Sequence, residues 1–188
     1  MGYALASACM LRGADVHLVS GPVALTSPEF VKTTKVTSAA EMYATISKEA
    51  ADSDLIFMAA AVADYTPATH AENKIKKSDD DMKIELTRTV DILSDIAKKR
   101  GKGKATGKQI ICGFSMETEN LLENSRKKLK KKNIDMIAAN SLRTEGAGFA
   151  TDTNVMTLIT PNHSEALEKM SKFDTAMKIV DTALSLLK

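Results

Sequence analysis

Unbroken apolar runs alternate along the chain with segments whose apolar positions recur at helical spacing. Tyr3 to Arg12 reads as a helix of small residues ended by Gly13, and Val16 to Ser20 reads as a buried strand. Ser38 stands at a helix N-cap, Glu41 three residues on completes a capping box, and Met42, Ile46 and Ala50 share one face. Asp54 to Ala61 has no polar alternation, as expected of a strand covered on both faces. Gln109 to Gly113, Ile134 to Ala138 and Val155 to Thr160 repeat that character, and helices are expected over Val90 to Arg100, Glu119 to Lys132 and Lys172 to Leu187. Strands alternating with helices predict an α/β fold, three layers deep, with a mostly parallel sheet.

Two segments break the rhythm. Thr66 to Asp81 is polar, holds a lysine cluster and an acidic run, and leads into a short alternating strand, Met82 to Thr87. It reads as a flap or dimerisation arm over about residues 66–87. Gly101 to Lys108 reads as a basic, flexible loop. No internal repeat or linker divides the rest, so residues 1–188 are expected to form one domain. A nucleotide-binding α/β domain usually opens with a strand whose phosphate-binding loop leads into the first helix. This chain opens inside the helix, so such a strand and loop are expected ahead of Met1.

Composition changes this picture little. Apolar residues make up 44% and charged residues 27%, as in globular domains, and aromatics are only 4%, so the core must be built from aliphatic residues and the ten Met. A net charge of +2 argues for no nucleic-acid or membrane partner, and no apolar run approaches a membrane span. Cys9 and Cys112 lie in apolar runs without metal-ligand spacing and read as buried thiols, which suits a reducing cytoplasm.

The candidate chemistry follows strand ends. Ala59 to Tyr65 closes a strand with small residues and then Asp64, which either contacts a nucleotide or caps a turn. Lys74, Lys76 and Lys77 offer charge to a phosphate or form a solvated surface. Asp91 stands where a helix begins and reads first as its cap. Gly113 permits close approach, and Phe114 either stacks on a base or packs in the core. On the next helix Arg126, Lys127, Lys128, Lys130, Lys131 and Lys132 form the densest basic run, and Lys128 and Lys132 project together at i,i+4. They grip a polyphosphate, face solvent, or form a nucleic-acid patch, the last weakened by the absence of interleaved aromatics. There is no Walker A sequence, no G-x-G-x-x-G and no metal-ligand spacing among the three histidines.

Taken in order, these segments resemble the phosphopantothenate–cysteine ligase family. The matching stretches are Leu18 to Val23, Ala59 to Tyr65, Lys74 to Lys77, Asp91 to Leu93, Gly113 to Thr118, Lys131 to Asn140, and the trio Phe149, Asp152 and Asn154. The resemblance implies a Rossmann-like sheet and a cytoplasmic homodimer whose arm around Lys74 reaches the partner subunit. It implies that CTP and Mg²⁺ activate 4'-phosphopantothenate as an acyl-cytidylate, with pyrophosphate released, before cysteine displaces CMP in coenzyme A biosynthesis. By position it makes Lys74 the catalytic lysine. Asp64, Lys74, Val90, Asp91, Ile92, Leu93, Phe114, Lys128 and Lys132 become nucleotide contacts, Ala60 and Ala61 lie near the acyl substrate, and the metal ligands stay unassigned. Two departures stand out: Val90 replaces the family's proline, and Met1-Gly2 matches only the tail of the family's Gly-rich opening, whose Asn helps convert the acyl-cytidylate. A nucleotide-binding domain without turnover is therefore the alternative, and a nucleic-acid module a more distant one.

Overall fold

The computed structural model describes residues 1–76, 81–117, 120–141 and 152–187. Its centre is a five-stranded sheet in the order β10-β9-β7-β6-β3, built from β3 (Leu55–Met58), β6 (Ile110–Glu117), β7 (Met136–Ser141), β9 (Met156–Ile159) and β10 (Ser164–Ala166). β3, β6 and β7 run parallel, while β9 and β10 are antiparallel to their neighbours. The run at Val155 to Thr160 is thus a strand of the opposite sense to the other three.

Period-two alternation splits each central strand between two cores. Ile110 and Cys112 on β6, Met136 and Ala138 on β7, and Met156 and Leu158 on β9 face α1 (Gly2–Leu11) and α5 (Lys172–Ser185). Ile111, Ile137, Ala139 and Ile159 face α2 (Ala39–Glu49), α3 (Ile92–Lys98) and α4 (Leu121–Lys132). Helices on both faces make the expected three layers. Cys112 is fully buried and burial pushes its thiol up to about 12; burial raises Cys9 to about 11, the charge of Arg12 opposing it weakly.

Local signals hold where they are strongest. Ser38 Oγ accepts from the Glu41 amide at 3.2 Å, and the Glu41 carboxylate accepts from the Thr37 amide at 2.7 Å, one residue beyond the usual box partner. Ser171 caps α5 in the same way, accepting from the Asp174 amide at 3.0 Å. Gly13 takes φ +80° just past α1, the left-handed conformation that ends helices.

Other expectations need correction. The strand expected over Asp54 to Ala61 is only Leu55–Met58, and only Ile56 is buried in it, because β3 is the edge of its sheet. β1 (His17–Ser20) pairs with β2 (Lys32–Lys35), a strand that the polar sequence KTTK did not announce. α1 packs on both β1 and β3, yet the two strands belong to separate sheets. β1 is accordingly half-exposed over His17 to Val19 rather than buried.

The excursion after β3 forms an antiparallel ribbon, β4 (Tyr65–Pro67) with β5 (Leu86–Arg88), so the strand expected over Met82 to Thr87 lies further along. Gly101 to Lys108 is not a loose loop: Asp54 Oδ1 accepts from the amides of Ala105 and Thr106 and from the Thr106 hydroxyl at 2.9–3.0 Å. The short strands β8 (Thr153–Asn154) and β11 (Met170–Ser171) pair with each other.

Candidate functional site

The parallel strands β3, β6 and β7 end on one rim, and the segments leaving them carry the candidate residues. After β3, Ala60, Ala61 and Asp64 are exposed. This loop is tied to the entry of α3: the Asp64 carbonyl accepts from the Thr89 amide at 3.0 Å, and the Ala63 carbonyl from the Thr89 hydroxyl at 2.6 Å. Val90, the next residue, is exposed.

Asp91 caps α3, accepting from the Ser94 amide at 3.1 Å and the Ser94 hydroxyl at 2.8 Å. The same carboxylate meets Lys132 Nζ at 3.0 Å. Asp91 is therefore the expected cap, and its contact with Lys132 ties α3 to α4. Ile92 is buried in the core. A Cβ at Gly113 would lie 2.9 Å from both Leu93 Cδ2 and Ile134 Cδ1, so what approaches this glycine is the protein's own core. Phe114 is half-buried and packs on the α1–α5 side of the sheet.

α4 separates its cations by face. Arg126, Lys127, Lys130 and Lys131 are exposed, with Lys127 paired to Glu123 on the solvent side. Lys128 and Lys132 lean inward over the ends of β6 and α3. Lys128 Nζ lies 3.3 Å from both Ser115 Oγ and Glu117 Oε1. Glu117 also accepts from the Ser115 hydroxyl at 2.8 Å and from Asn124 at 3.3 Å. Burial opposes ionisation of Glu117, but the hydrogen bonds from Ser115 and Lys128, with the Lys128 charge, hold its carboxyl below the ordinary range. At Asp91 burial is likewise outweighed, by Ser94 and then Lys132. A shallow pocket of about 250 Å³ lies beside this pair, lined by Asp91, Ser94, Lys98, Lys131, Lys132 and Asn133.

The structure thus gathers Asp91, Lys128 and Lys132 around the ends of β6 and α3, and joins the Asp64 loop to the same helix entry. Lys74 is exposed in the segment between β4 and β5 and has no ion pair among the described residues. Lys77, Thr118 and Phe149 lie outside the described residues.

Sequence reasoning missed Ser115, Glu117 and Asn124, whose polar types at the end of an apolar strand and the start of the next helix were the available signal. It also missed Asn140, buried near the end of β7 with Oδ1 unpaired among the described residues. A second open pocket, about 420 Å³, lies where α1 and α5 begin, beside Leu25, Thr26 and Pro28.

Among the described residues no group of three or more His, Cys, Asp or Glu is placed to cage a metal ion. Magnesium can instead bind through one or two carboxylates together with substrate phosphates. Both Asp91 oxygens already accept from Ser94 and Lys132, so this carboxylate would meet a magnesium ion only by exchanging those contacts.

Mostly parallel strands between two helical layers define a Rossmann-like α/β domain, a class whose ligands bind outside the carboxyl ends of the strands. The chain belongs to the family of the DNA/pantothenate metabolism flavoprotein C-terminal domain, whose profile matches residues 1–186. It is 42% identical over 193 residues to the coenzyme A biosynthesis bifunctional protein CoaBC of Bacillus subtilis (strain 168), covering 100% of this chain and 45% of that protein. A crystal structure of the C-terminal domain of a CoaBC protein superposes with TM-score 0.79 at 34% identity, covering 99% of this chain and 81% of that one. A complex of the Cab2 mutant H337A with phosphopantothenate-cysteine shares the fold, with TM-score 0.75 at 15% identity, over 99% of this chain and 76% of that one. The chain thus spans less than half the length of the Bacillus relative.

Proposed function

We propose that residues 1–188 act as one phosphopantothenate–cysteine ligase domain in coenzyme A biosynthesis, cytoplasmic and homodimeric. The observation that carries this reading is similarity along the whole chain to a CoaBC protein. The inward pair Lys128 and Lys132 at the strand ends supports it independently.

In this reading CTP is the nucleotide. A carboxylate oxygen of 4'-phosphopantothenate attacks the α-phosphorus, the bond to pyrophosphate breaks, and an acyl-cytidylate forms. The amine of cysteine then attacks the acyl carbon, loses a proton, and CMP leaves. The carboxylate needs this activation because its oxygen is otherwise a poor leaving group. Mg²⁺, when bound, would neutralise polyphosphate charge, with Asp91 the carboxylate offered to it at the helix entry.

The residues of this chain orient and screen. Lys128 and Lys132 draw the polyphosphate to the rim, where positive charge stabilises the departing pyrophosphate. Asp64 and Val90, both exposed, meet the nucleoside, Ile92, Leu93 and Phe114 act there through the main chain because their side chains pack inward, and Ala60 and Ala61, small and exposed, leave room for the acyl group. Lys74 is the catalytic lysine, brought to the site by the ribbon of a second subunit. Exposed Tyr65 and Leu86 on the ribbon, with Ile75, Met82 and Ile84 in the segment that joins its strands, suit such a contact. No described helix is long and apolar enough to cross a membrane.

The test is pyrophosphate release with 4'-phosphopantothenate, Mg²⁺ and either CTP or ATP, with and without cysteine. CTP-dependent release is expected, and release with ATP alone would overturn the nucleotide assignment. A domain that binds nucleotide without turnover is the second outcome this test distinguishes. Thermal stabilisation by CTP without pyrophosphate would support it.

A further inference from the structure

Lys128 differs from its neighbours on α4 in being anchored at both ends of its reach. Its backbone sits one residue before the buried Leu129, and its ammonium contacts Ser115 and Glu117 near the end of β6. Glu117 is itself fixed, with only 17% of its side chain exposed and further hydrogen bonds from Ser115 and Asn124. Asp91, by contrast, leaves 52% of its side chain exposed beside Lys132 and is already engaged in capping α3. A free lysine is a flexible cation that must lose rotamer freedom to meet a phosphate, and a pre-placed partner reduces that loss. Protein kinases use a Lys–Glu pair to the same end at their phosphate site.

We infer that Glu117 is a positioning residue: with Ser115 and Asn124 it holds the Lys128 ammonium at the strand ends, ready for the nucleotide's polyphosphate. This rests on the ligase reading above, in which Lys128 meets CTP. Glu117 does not itself touch the nucleotide. It keeps its contact with Lys128, whose remaining donor capacity faces the ligand.

The experiment measures equilibrium binding of CTP with Mg²⁺ to the full chain carrying Glu117→Ala, Glu117→Gln, Lys128→Met and the double change Glu117→Ala with Lys128→Met. Glu117→Ala weakens binding about tenfold, the scale seen when a group orienting a ligand-side residue is removed. The double variant binds no worse than Lys128→Met alone, because Glu117 acts only through that lysine. Glu117→Gln keeps the shape and an acceptor oxygen, and therefore loses less than Glu117→Ala. Should the alanine variant not fold, the same cycle run with Glu117→Gln separates the same outcomes. Glu117→Ala binding like the unmodified chain, or losses that multiply in the double variant, would overturn the positioning role and leave the ligase reading intact. An unmodified chain that binds no CTP would overturn the ligase reading and the positioning role with it.

Discussion

Ile111 on β6 is fully buried, whereas Ile84 on the ribbon arm is 64% exposed. Both are isoleucines, so the residue's own preference does not separate them. Their neighbours do. β6 has a strand on each side, β3 and β7, and a helical layer over each face, so each alternate residue finds a core. The arm pairs only with itself, and its apolar residues find no cover among the described residues. A two-stranded ribbon alone is marginal in water. The sheet is thus specified by its own burial, while the arm's apolar residues would be covered in the proposed dimer.

Breaking that contrast in the core carries the largest effect. Ile111→Ala removes a fully buried side chain and is expected to cost about 2–5 kcal/mol in urea unfolding. Ile84→Ala, measured at a concentration where the chain is monomeric, should change stability by less than about 0.5 kcal/mol. Equal losses would erase the distinction between the two regions.

Next comes the tie beneath the sheet. Arg100 donates to the Gln109 carbonyl at 2.8 Å, to Asp135 at 2.6 Å and to the Asn133 carbonyl at 2.7 Å, and Asp135 in turn accepts from the Ile111 amide at 2.8 Å. Arg100→Ala removes the donor these acceptors share and should cost about 2 kcal/mol by thermal or urea unfolding. A cost near zero would mean that the five-stranded sheet does not depend on this cluster. Ser38→Ala, at a more exposed cap, should cost about 1 kcal/mol in the same assay.

The smallest effect is in pH dependence. Backbone hydrogen bonds from Thr106 lead the causes that hold the Asp54 carboxyl below its ordinary value. A depressed folded pKa means that the stabilisation is present above the ordinary carboxylate range, about pH 4, and is lost as pH falls through the lower folded value. Asp54→Asn should therefore lower the melting temperature at pH 7 and make little difference near pH 2. A uniform loss at both pH values would point to packing instead of charge.

The central sheet and its helices were largely legible because hydrophobic period and burial coincide there. Gln109 to Gly113 and Ile134 to Ala138 announced β6 and β7, and Ser38 with Glu41 announced α2. Legibility failed where pairing is decided at a distance. KTTK looks like a loop until β1 lies beside it, and Ala59 to Ala61 look like a strand until β3 proves to be an edge that stops at Met58. At the candidate site the spacing of Lys128 and Lys132 showed that they share a face, but not that Glu117 and Asp91 meet them there. Those contacts join separate elements of the fold, which local spacing does not encode.

The central claim is that the active site joins the rigid rim of one subunit to the arm of another. Subunit mixing tests it most directly. Lys74→Ala, altered on the arm, and Lys128→Met, altered on the rim, are each expected to lose CTP-dependent pyrophosphate release. Mixed and allowed to exchange, they should regain part of it, because one site in the mixed dimer combines an intact arm with an intact rim. No recovery in mixtures shown to contain the mixed dimer, or full activity of Lys74→Ala alone, would contradict the account.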